Sequence, residues 1–498
     1  MTTKPQLERY AALLLCMLAL LLAFGRSYFV EDGYFSRDTS NYLRLSENIL
    51  LGNGLQVPND GSQPAGLTHF AIWPVGYPLM IASVAATLKV STYLAARLVN
   101  ALLLLISMLV IGSTFGRKGL LLCPLLALGG TADIFANTWS EAPFICFLIS
   151  FSAVLGRALT AEEGRGIKAA FLLLSLGILL FASRYIGAFA AGILVLAAAY
   201  KCYCRKMQQG VWLALAATAM SAFMFLYLAY NASQTGFATG MSRTVAPESS
   251  VELLGQWMIA FVAQFFLPMQ TWLPGSWKEY CIFFLELLLA AYAFLPLSKL
   301  TKPQVTREQL GRAAVFILVG VAYLAAVTIL RWRSFFEPFS SRLMNPGVVL
   351  ILLGSFSLLL EYECKWRSRV CLFILAMAAT STAIQIYGLG IGKGAPFFQQ
   401  TVKARIERYR EIPQGAIVVF GDYFLNYLRP DVHVAYPRYY PGFPQAETWE
   451  NFLGRLDSSK RIFVQVSDEV RIEEGFDASV VNYYQAHHKP GFFEISRP

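Results

Sequence analysis

Residues 31–54 read EDGYFSRDTSNYLRLSENILLGNG and residues 69–78 read HFAIWPVGYP, a polar, aromatic-rich stretch that follows directly on the apolar run 11–24. This places acids, arginines and aromatics beside a membrane surface. Asp38 precedes Thr39, Ser40 and Asn41 and then the apolar positions Leu43, Leu45, Ile49 and Leu50, with Gly52 and Gly54 beyond them. That pattern predicts a short helix that Asp38 caps and the glycines end. Arg44, Glu47 and Asn48 among the apolar residues suit it to lie in the interface instead of crossing it. A carboxylate held there can also deprotonate a hydroxyl acceptor while the membrane presents a lipid-borne partner.

The bulk composition agrees with a membrane setting. The chain has 498 residues, 56% hydrophobic and only 14% charged, with a mean hydropathy of +0.50. That is too apolar for a soluble protein of this length and predicts a polytopic α-helical membrane protein. The net charge of +10 does not point to nucleic acid, because the cations fall in short loops between apolar runs. The first apolar run follows Lys4 and Arg9, as in a secretory signal, but the further runs make it a retained first span.

Apolar runs able to cross a roughly 30 Å core fall near 10–29, 94–115, 119–136, 141–157, 168–183, 185–201, 212–231, 277–297, 313–331, 345–361 and 370–388, about eleven crossings. Counted alternately, Arg117 and Lys118, the 157–168 loop, Lys201, Arg205 and Lys206, the 299–312 loop, and Lys365, Arg367 and Arg369 share one side with the N-terminus. The positive-inside rule makes that side cytoplasmic. Asp38, Glu141, Arg184 and Arg342 then share the other. Arg184, Arg331, Arg333 and Arg342 run against the trend, so each needs an anionic partner, either a carboxylate such as Glu337, a lipid headgroup or a substrate phosphate.

Beyond residue 393 the character changes. PFFQQTVKARIERYREI reads as a helix, and AIVVF, VHVAY, RIFVQV and FFEI read as short strands bounded by turn signals. These predict a small C-terminal α/β domain, giving a division at 1–390 and 391–498. The linker GLGIGKG, residues 388–394, lacks a Ser or Thr after its lysine and a strand before it, so it reads as a flexible exit and not a phosphate loop.

Several familiar chemistries are excluded. His69, His433, His487 and His488 form no zinc motif, and no serine nucleophile elbow occurs. Eight cysteines imply no disulfide framework, and Cys202 and Cys204 lack partner ligands. Asn231-Ala-Ser233 has the form of a glycosylation acceptor but abuts a predicted membrane end, and we assign it no role.

RDTSNYLRLSENILLGNG, WPVGYPLMIA, TWSEAPF, SRYIGAFA, YNASQTGFATG and SSRLMNPG, in that order, resemble the C-type (GT-C) glycosyltransferase superfamily. The resemblance covers roughly residues 10–390 and is nearest to the branch holding protein O-mannosyltransferases and lipid A aminoarabinose transferases. It implies an inverting enzyme that moves a sugar from a polyprenyl-phosphate carrier, such as undecaprenyl phosphate, to an acceptor outside the cytoplasm. It puts the essential acid of the first outer loop on Asp38, an acid of the second on Glu141, and the donor-phosphate arginine on Arg342. One position departs: aminoarabinose transferases have a lysine before the first-loop proline, where this chain has Trp73, leaving Arg184, His69 or Arg97 as substitutes there.

A lipid-phosphate sugar has a good leaving group, so such a protein needs a base for the acceptor, cations for the phosphate and a groove for the apolar tail. Asp38 is the expected base, Glu141 its partner acid, and Arg342 and Arg184 the phosphate ligands. Tyr42, Tyr77, Tyr185 and His69 are expected contacts to sugar or interface. No cofactor is demanded; paired carboxylates hold a divalent ion in some relatives, but no spacing here requires a metal. The expected partners are the lipid-linked donor, a protein, lipid or glycan acceptor and the bilayer, and not nucleic acid. A bacterial inner membrane, with the N-terminus cytoplasmic and the C-terminal domain periplasmic, is the expected location. The competing expectation is a transporter or flippase of an anionic lipid, for which internal pseudo-repeats would be the sign.

Overall fold

The computed structural model describes residues 4–58, 67–160, 166–241, 243, 248–269, 276–294, 305–334, 336–362, 364–389, 398–437, 446–466, 477–485 and 491–495. Residues 390–394 of the 388–394 linker thus lie outside the described residues.

Nine helical stretches among the described residues are long and apolar enough to cross a membrane: Gln6–Tyr28, Thr92–Ala127, Glu141–Thr160, Gly166–Ser183, Tyr185–Tyr203, Met207–Thr235, Arg307–Arg333, Ser341–Leu359 and Trp366–Gly388. The chain is a multi-pass membrane protein. In chain order the bundle begins with α1 (Lys4–Gly25), α2 (Arg37–Leu50), α3 (Gly76–Leu88), α4 (Thr92–Phe115), α5 (Gly119–Leu122), α6 (Gly129–Ala136) and α7 (Glu141–Thr160). It continues with α8 (Gly166–Ser183), α9 (Phe189–Tyr203), α10 (Met207–Thr235), α11 (Ser250–Ala263), α12 (Trp277–Phe294), α13 (Arg307–Arg333), α14 (Ser341–Leu359) and α15 (Cys364–Gly388). A two-stranded antiparallel ribbon, β1 (Gln56–Pro58) with β2 (Leu67–His69), joins α2 to α3.

Two expected spans are not among these nine as drawn. Residues 119–136 do return along α4, because Cys123 bonds the Met108 carbonyl and Asn100 bonds the Phe135 carbonyl. They do so as α5, a five-residue 3-10 segment holding Pro124, and α6, since the proline supplies no amide hydrogen. Near 277–297, α12 holds Lys278, Glu279 and Glu286 within 18 residues, more charge than an unassisted span carries. Glu286 is buried and accepts a hydrogen bond from the Leu267 amide.

The short helices are placed by their caps. Ser36, not Asp38, caps α2: its hydroxyl accepts from the Thr39 amide, and Asp38 sits two positions further in, in the first turn. Nor does α2 lie free in an interface, since Thr39, Ser40, Tyr42, Leu43, Arg44, Leu45, Ser46 and Asn48 are all buried. Ser340 caps α14 in the same way. At Gly347 the α14 backbone comes so close to α13 that a Cβ would lie 2.9 Å from the Gly320 carbonyl oxygen.

The C-terminal region holds a four-stranded sheet of order β4–β3–β5–β6, with β3 (Ile417–Val419), β4 (His433–Ala435), β5 (Ile462–Val466) and β6 (Gly491–Ile495). β3 pairs in parallel with both β4 and β5, and β6 is antiparallel to β5. Side chains alternate across it. Val418 and Phe463 join the core that runs on from the bundle, beneath α16 (Phe398–Tyr409) and α17 (Tyr423–Leu428). Ile417, Val419, Ile462, Val464 and Val466 face a second core with α18 (Trp449–Arg455) and α19 (Ala478–Gln485).

Candidate active site

Three helix N-termini meet at one end of the bundle. Asp38 lies in the first turn of α2, Glu141 opens α7, and Arg342 is in the first turn of α14. Free amides and aligned dipoles make such ends favourable for carboxylates and for phosphate. Pro346, inside the third helix, offers no amide hydrogen to the Arg342 carbonyl four residues earlier.

Arg342 joins the two acids. Its Nη2 donates to Asp38 Oδ2 and, at 3.0 Å, to Glu141 Oε2, while Nε donates to Glu141 Oε1 at 2.5 Å. Arg184, between α8 and α9, pairs with the same Glu141 oxygen. The Glu141 side chain is only 1% exposed, whereas Asp38 is 14% and Arg342 22% exposed. Glu141 is therefore the buried anchor of both guanidinium groups, and Asp38 and Arg342 form the accessible edge. Trp139 floors that edge: the Arg342 guanidinium carbon lies 4.4 Å from its ring centroid, and its indole N–H donates to the Ser36 hydroxyl at 3.3 Å.

The segment carrying Trp139 and Glu141 is fastened to α4. Arg97, fully buried, donates to the Ala136 carbonyl and the Thr138 hydroxyl, and Asn100 donates to the carbonyls of Phe135 and Asn137 at 3.0 and 2.7 Å. Tyr77 donates to the other face of Asn100 at 2.7 Å. Arg97 and Tyr77 are thus committed to bracing the loop, not turned toward a substrate.

The remaining residues expected at the site divide into two groups. Tyr42 lies beside it, fully buried, with Asp38, Arg184, Arg342 and Ser140 around its hydroxyl; burial drives its phenol well above the ordinary value and the Asp38 carboxylate adds to the shift. Tyr42 therefore keeps its proton at ordinary pH. Tyr185 and His69 belong to a neighbouring network: Tyr185 donates to the Ala71 carbonyl at 2.8 Å and accepts from Asn231 at 2.9 Å, and His69 pairs with Asn231 at 3.2 Å. Asn231 is 1% exposed, which fits the absence of a role for its tripeptide. Trp73 packs on Tyr42 with ring centroids 5.5 Å apart, so its place before the first-loop proline is filled by aromatic packing. Arg331 is turned elsewhere, to Glu248 at 2.5 Å and the Glu337 carbonyl at 2.7 Å.

Trp139, Asn100 and Ser36 were not foreseen as parts of the site. Trp139 sits two residues before Glu141, and its enclosure between Ser36 and Arg342 depends on contacts distant in sequence. Among the described residues no three His, Cys, Asp or Glu side chains converge to hold a metal ion, and the nearest acids, Asp38 and Glu141, turn oxygens onto Arg342.

No family model and no curated protein matches the sequence. Solved structures do match in fold. The chain is similar to the oligosaccharyltransferase of Archaeoglobus fulgidus in its apo form, at 11% identity over 92% of this chain and 69% of that one, with a TM-score of 0.50. It is also similar to ArnT from Cupriavidus metallidurans bound to undecaprenyl phosphate, at 11% identity, 91% and 92% coverage and a TM-score of 0.47. A third similar structure is the arabinofuranosyltransferase AftD from mycobacteria, at 13% identity, 97% and 38% coverage and a TM-score of 0.49. The chain has a GT-C-like fold, as the sequence motifs imply.

Proposed function

We propose that this protein is an inverting membrane glycosyltransferase that takes a sugar from a polyprenyl-phosphate carrier and passes it to a hydroxyl acceptor. The observation that carries the reading is the meeting of three helix N-termini around Asp38, Glu141 and Arg342, with Asp38 and Arg342 at the accessible edge. A structure of the archaeal enzyme with the same fold, at a TM-score of 0.50, holds a dolichol-phosphate, a ligand of the class that two guanidiniums and three helix ends suit.

In this reading the donor phosphate takes over the Nη face of Arg342, leaving Glu141 to hold Nε and Arg184. Asp38, released from the guanidinium, accepts the proton of the acceptor hydroxyl. The acceptor oxygen bonds to the anomeric carbon as the bond from that carbon to the phosphate oxygen breaks. The electron pair stays on the phosphate, where Arg342 and Arg184 stabilise the charge, and polyprenyl phosphate leaves. We place the site on the non-cytoplasmic face of a bacterial inner membrane, with residues 1–390 as the catalytic part and 391–498 as a domain on that same face.

The test is transfer by the purified protein in detergent, where no compartments exist. Release of polyprenyl phosphate with formation of a glycosidic bond supports the enzyme. Binding of the lipid donor without bond formation, across protein, lipid and glycan acceptors, turns the reading toward a flippase.

A further inference from the structure

We infer, resting on the reading of Asp38 as base, that the C-terminal sheet region is part of the site's working geometry: Asn426 and Phe424 are positioning residues that set Asp38 against Arg342. The argument begins on α2. Asp38 and Ser40 are two residues apart, about 200° around a helix. As Asp38 faces Arg342, Ser40 faces the opposite way, into α17. There Asn426 Nδ2 donates to Ser40 Oγ at 2.8 Å, and Ser40 is 1% exposed. The helix is therefore gripped from both sides.

The chain entering α2 is gripped as well. Phe35, immediately before the cap Ser36, stacks on Phe424 with centroids 4.3 Å apart and planes 18° from parallel. Phe398 stacks on Tyr93 at 4.5 Å, and Tyr427 shares a hydrogen bond with Thr92 at 3.1 Å. Gly33 completes the fit: its φ is +57°, and a Cβ there would fall 2.2 Å from a Phe398 ring carbon. The C-terminal region thus meets Gly33 and Phe35 ahead of the cap and the face of α2 behind Asp38.

The mount is stiffer than a six-residue helix can be alone. Asp422 caps α17 through the Leu425 amide at 2.9 Å, and the same carboxylate accepts from Tyr409 at 2.5 Å, Arg405 at 2.8 Å and Gln465 at 2.8 Å. Arg405 also lies over the Phe424 ring, 4.3 Å from its centroid. The sheet, α16 and α17 therefore move as one piece, and a shift of that piece is a shift of Asp38. Preorganisation at this scale matters because a misplacement of about 1 Å can cost about 100-fold in rate.

The experiment uses the full chain in nanodiscs, with Asn426→Ala, Ser40→Ala, the double variant, and Asn451→Ala on an exposed face of α18 as control. Hydrogen exchange of the α2 amides is expected to quicken about fivefold to tenfold in the first three, equally in each, corresponding to one lost hydrogen bond, and to stay unchanged in the control. For donor turnover, kcat is expected to fall about tenfold in the same three variants with the donor KM within about twofold. Exchange in α2 no faster than in Asn451→Ala overturns the inference, and so does a loss of turnover expressed in KM alone. A wild-type protein that transfers no sugar overturns the functional reading instead, and the exchange arm then decides the mount by itself.

Discussion

Asp38 and Arg342 stand 304 positions apart in the chain and are joined directly, Nη2 to Oδ2, at the edge of the site. On the proposed reading, the resting arrangement holds the base against the cation that the donor phosphate would take. Removing the acid alone separates these roles. Asp38→Asn keeps the shape and a hydrogen bond to Arg342 but cannot take a proton, so transfer is expected to fall by about 100- to 10,000-fold. Donor binding, measured with the same lipid, is expected to hold or tighten, because the guanidinium is less occupied. Full activity in this variant would show that another group is the base.

Arg342→Ala removes both bonds to Glu141 and the pair with Asp38, and with them the cation proposed for the donor phosphate. Charge-assisted hydrogen bonds contribute about 1.5–3 kcal/mol each, so the donor KM is expected to rise by about tenfold to a hundredfold. Arg205→Ala, at an exposed cation between α9 and α10, is expected to change it less than about twofold. Equal effects would remove Arg342 from the phosphate site.

Asn100 holds the loop that presents Trp139 and Glu141, and it does so from within a span. Asn100→Ala leaves the Tyr77 hydroxyl and the carbonyls of Phe135 and Asn137 without their partner. Buried unsatisfied groups cost about 1–3 kcal/mol each, so thermal unfolding in detergent is expected at clearly lower temperature than for the wild type. Asn100→Asp keeps the acceptor for Tyr77 but turns a buried carboxylate toward the two carbonyl oxygens, and is expected to unfold at or below the temperature of the alanine variant. Unfolding at wild-type temperature in both would refute the brace.

A pH effect is expected in the C-terminal region. Hydrogen bonds from Arg429 hold the Asp431 carboxyl below its ordinary range, and Arg429 also donates to the carbonyls of Tyr409 and Ile412. A carboxyl whose folded pKa is depressed stabilises the fold above its unfolded value near 4 and loses that contribution as pH falls through the folded value. The melting difference between wild type and Asp431→Asn should therefore be present at pH 7 and shrink toward pH 3. A difference independent of pH would refute the pairing.

Much of this was legible in the chain before any coordinates. Apolar runs fix most spans because the bilayer leaves a backbone few choices. Arginines at the less basic boundary are conspicuous for the same reason, and Arg184 and Arg342 do come together with Asp38 and Glu141. Other features were hidden because they depend on pairing across distance. Nothing local to Ser40 says that Asn426 will meet it, and nothing in Asn100 separates a polar brace from an ordinary polar residue in a span. Arg97 and Tyr77 had the chemistry of ligands but are consumed by the loop at 135–138. The cap of α2 was misplaced because Ser36 and Asp38 both satisfy the local pattern, and only the Thr39 amide decides between them.

The distances along the chain set a timetable. Glu141 is made 201 residues before Arg342, about 10–40 s at ~5–20 residues per second of synthesis. During that interval Arg184 is the cation at hand for the buried carboxylate, since it follows within the next hairpin of spans. The grip of Asn426 on Ser40 closes across 386 residues, later still. Asp38 thus waits far longer for its cation than Glu141 does, and a slowed ribosome or a break between α7 and α14 would leave Glu141 leaning on Arg184 alone.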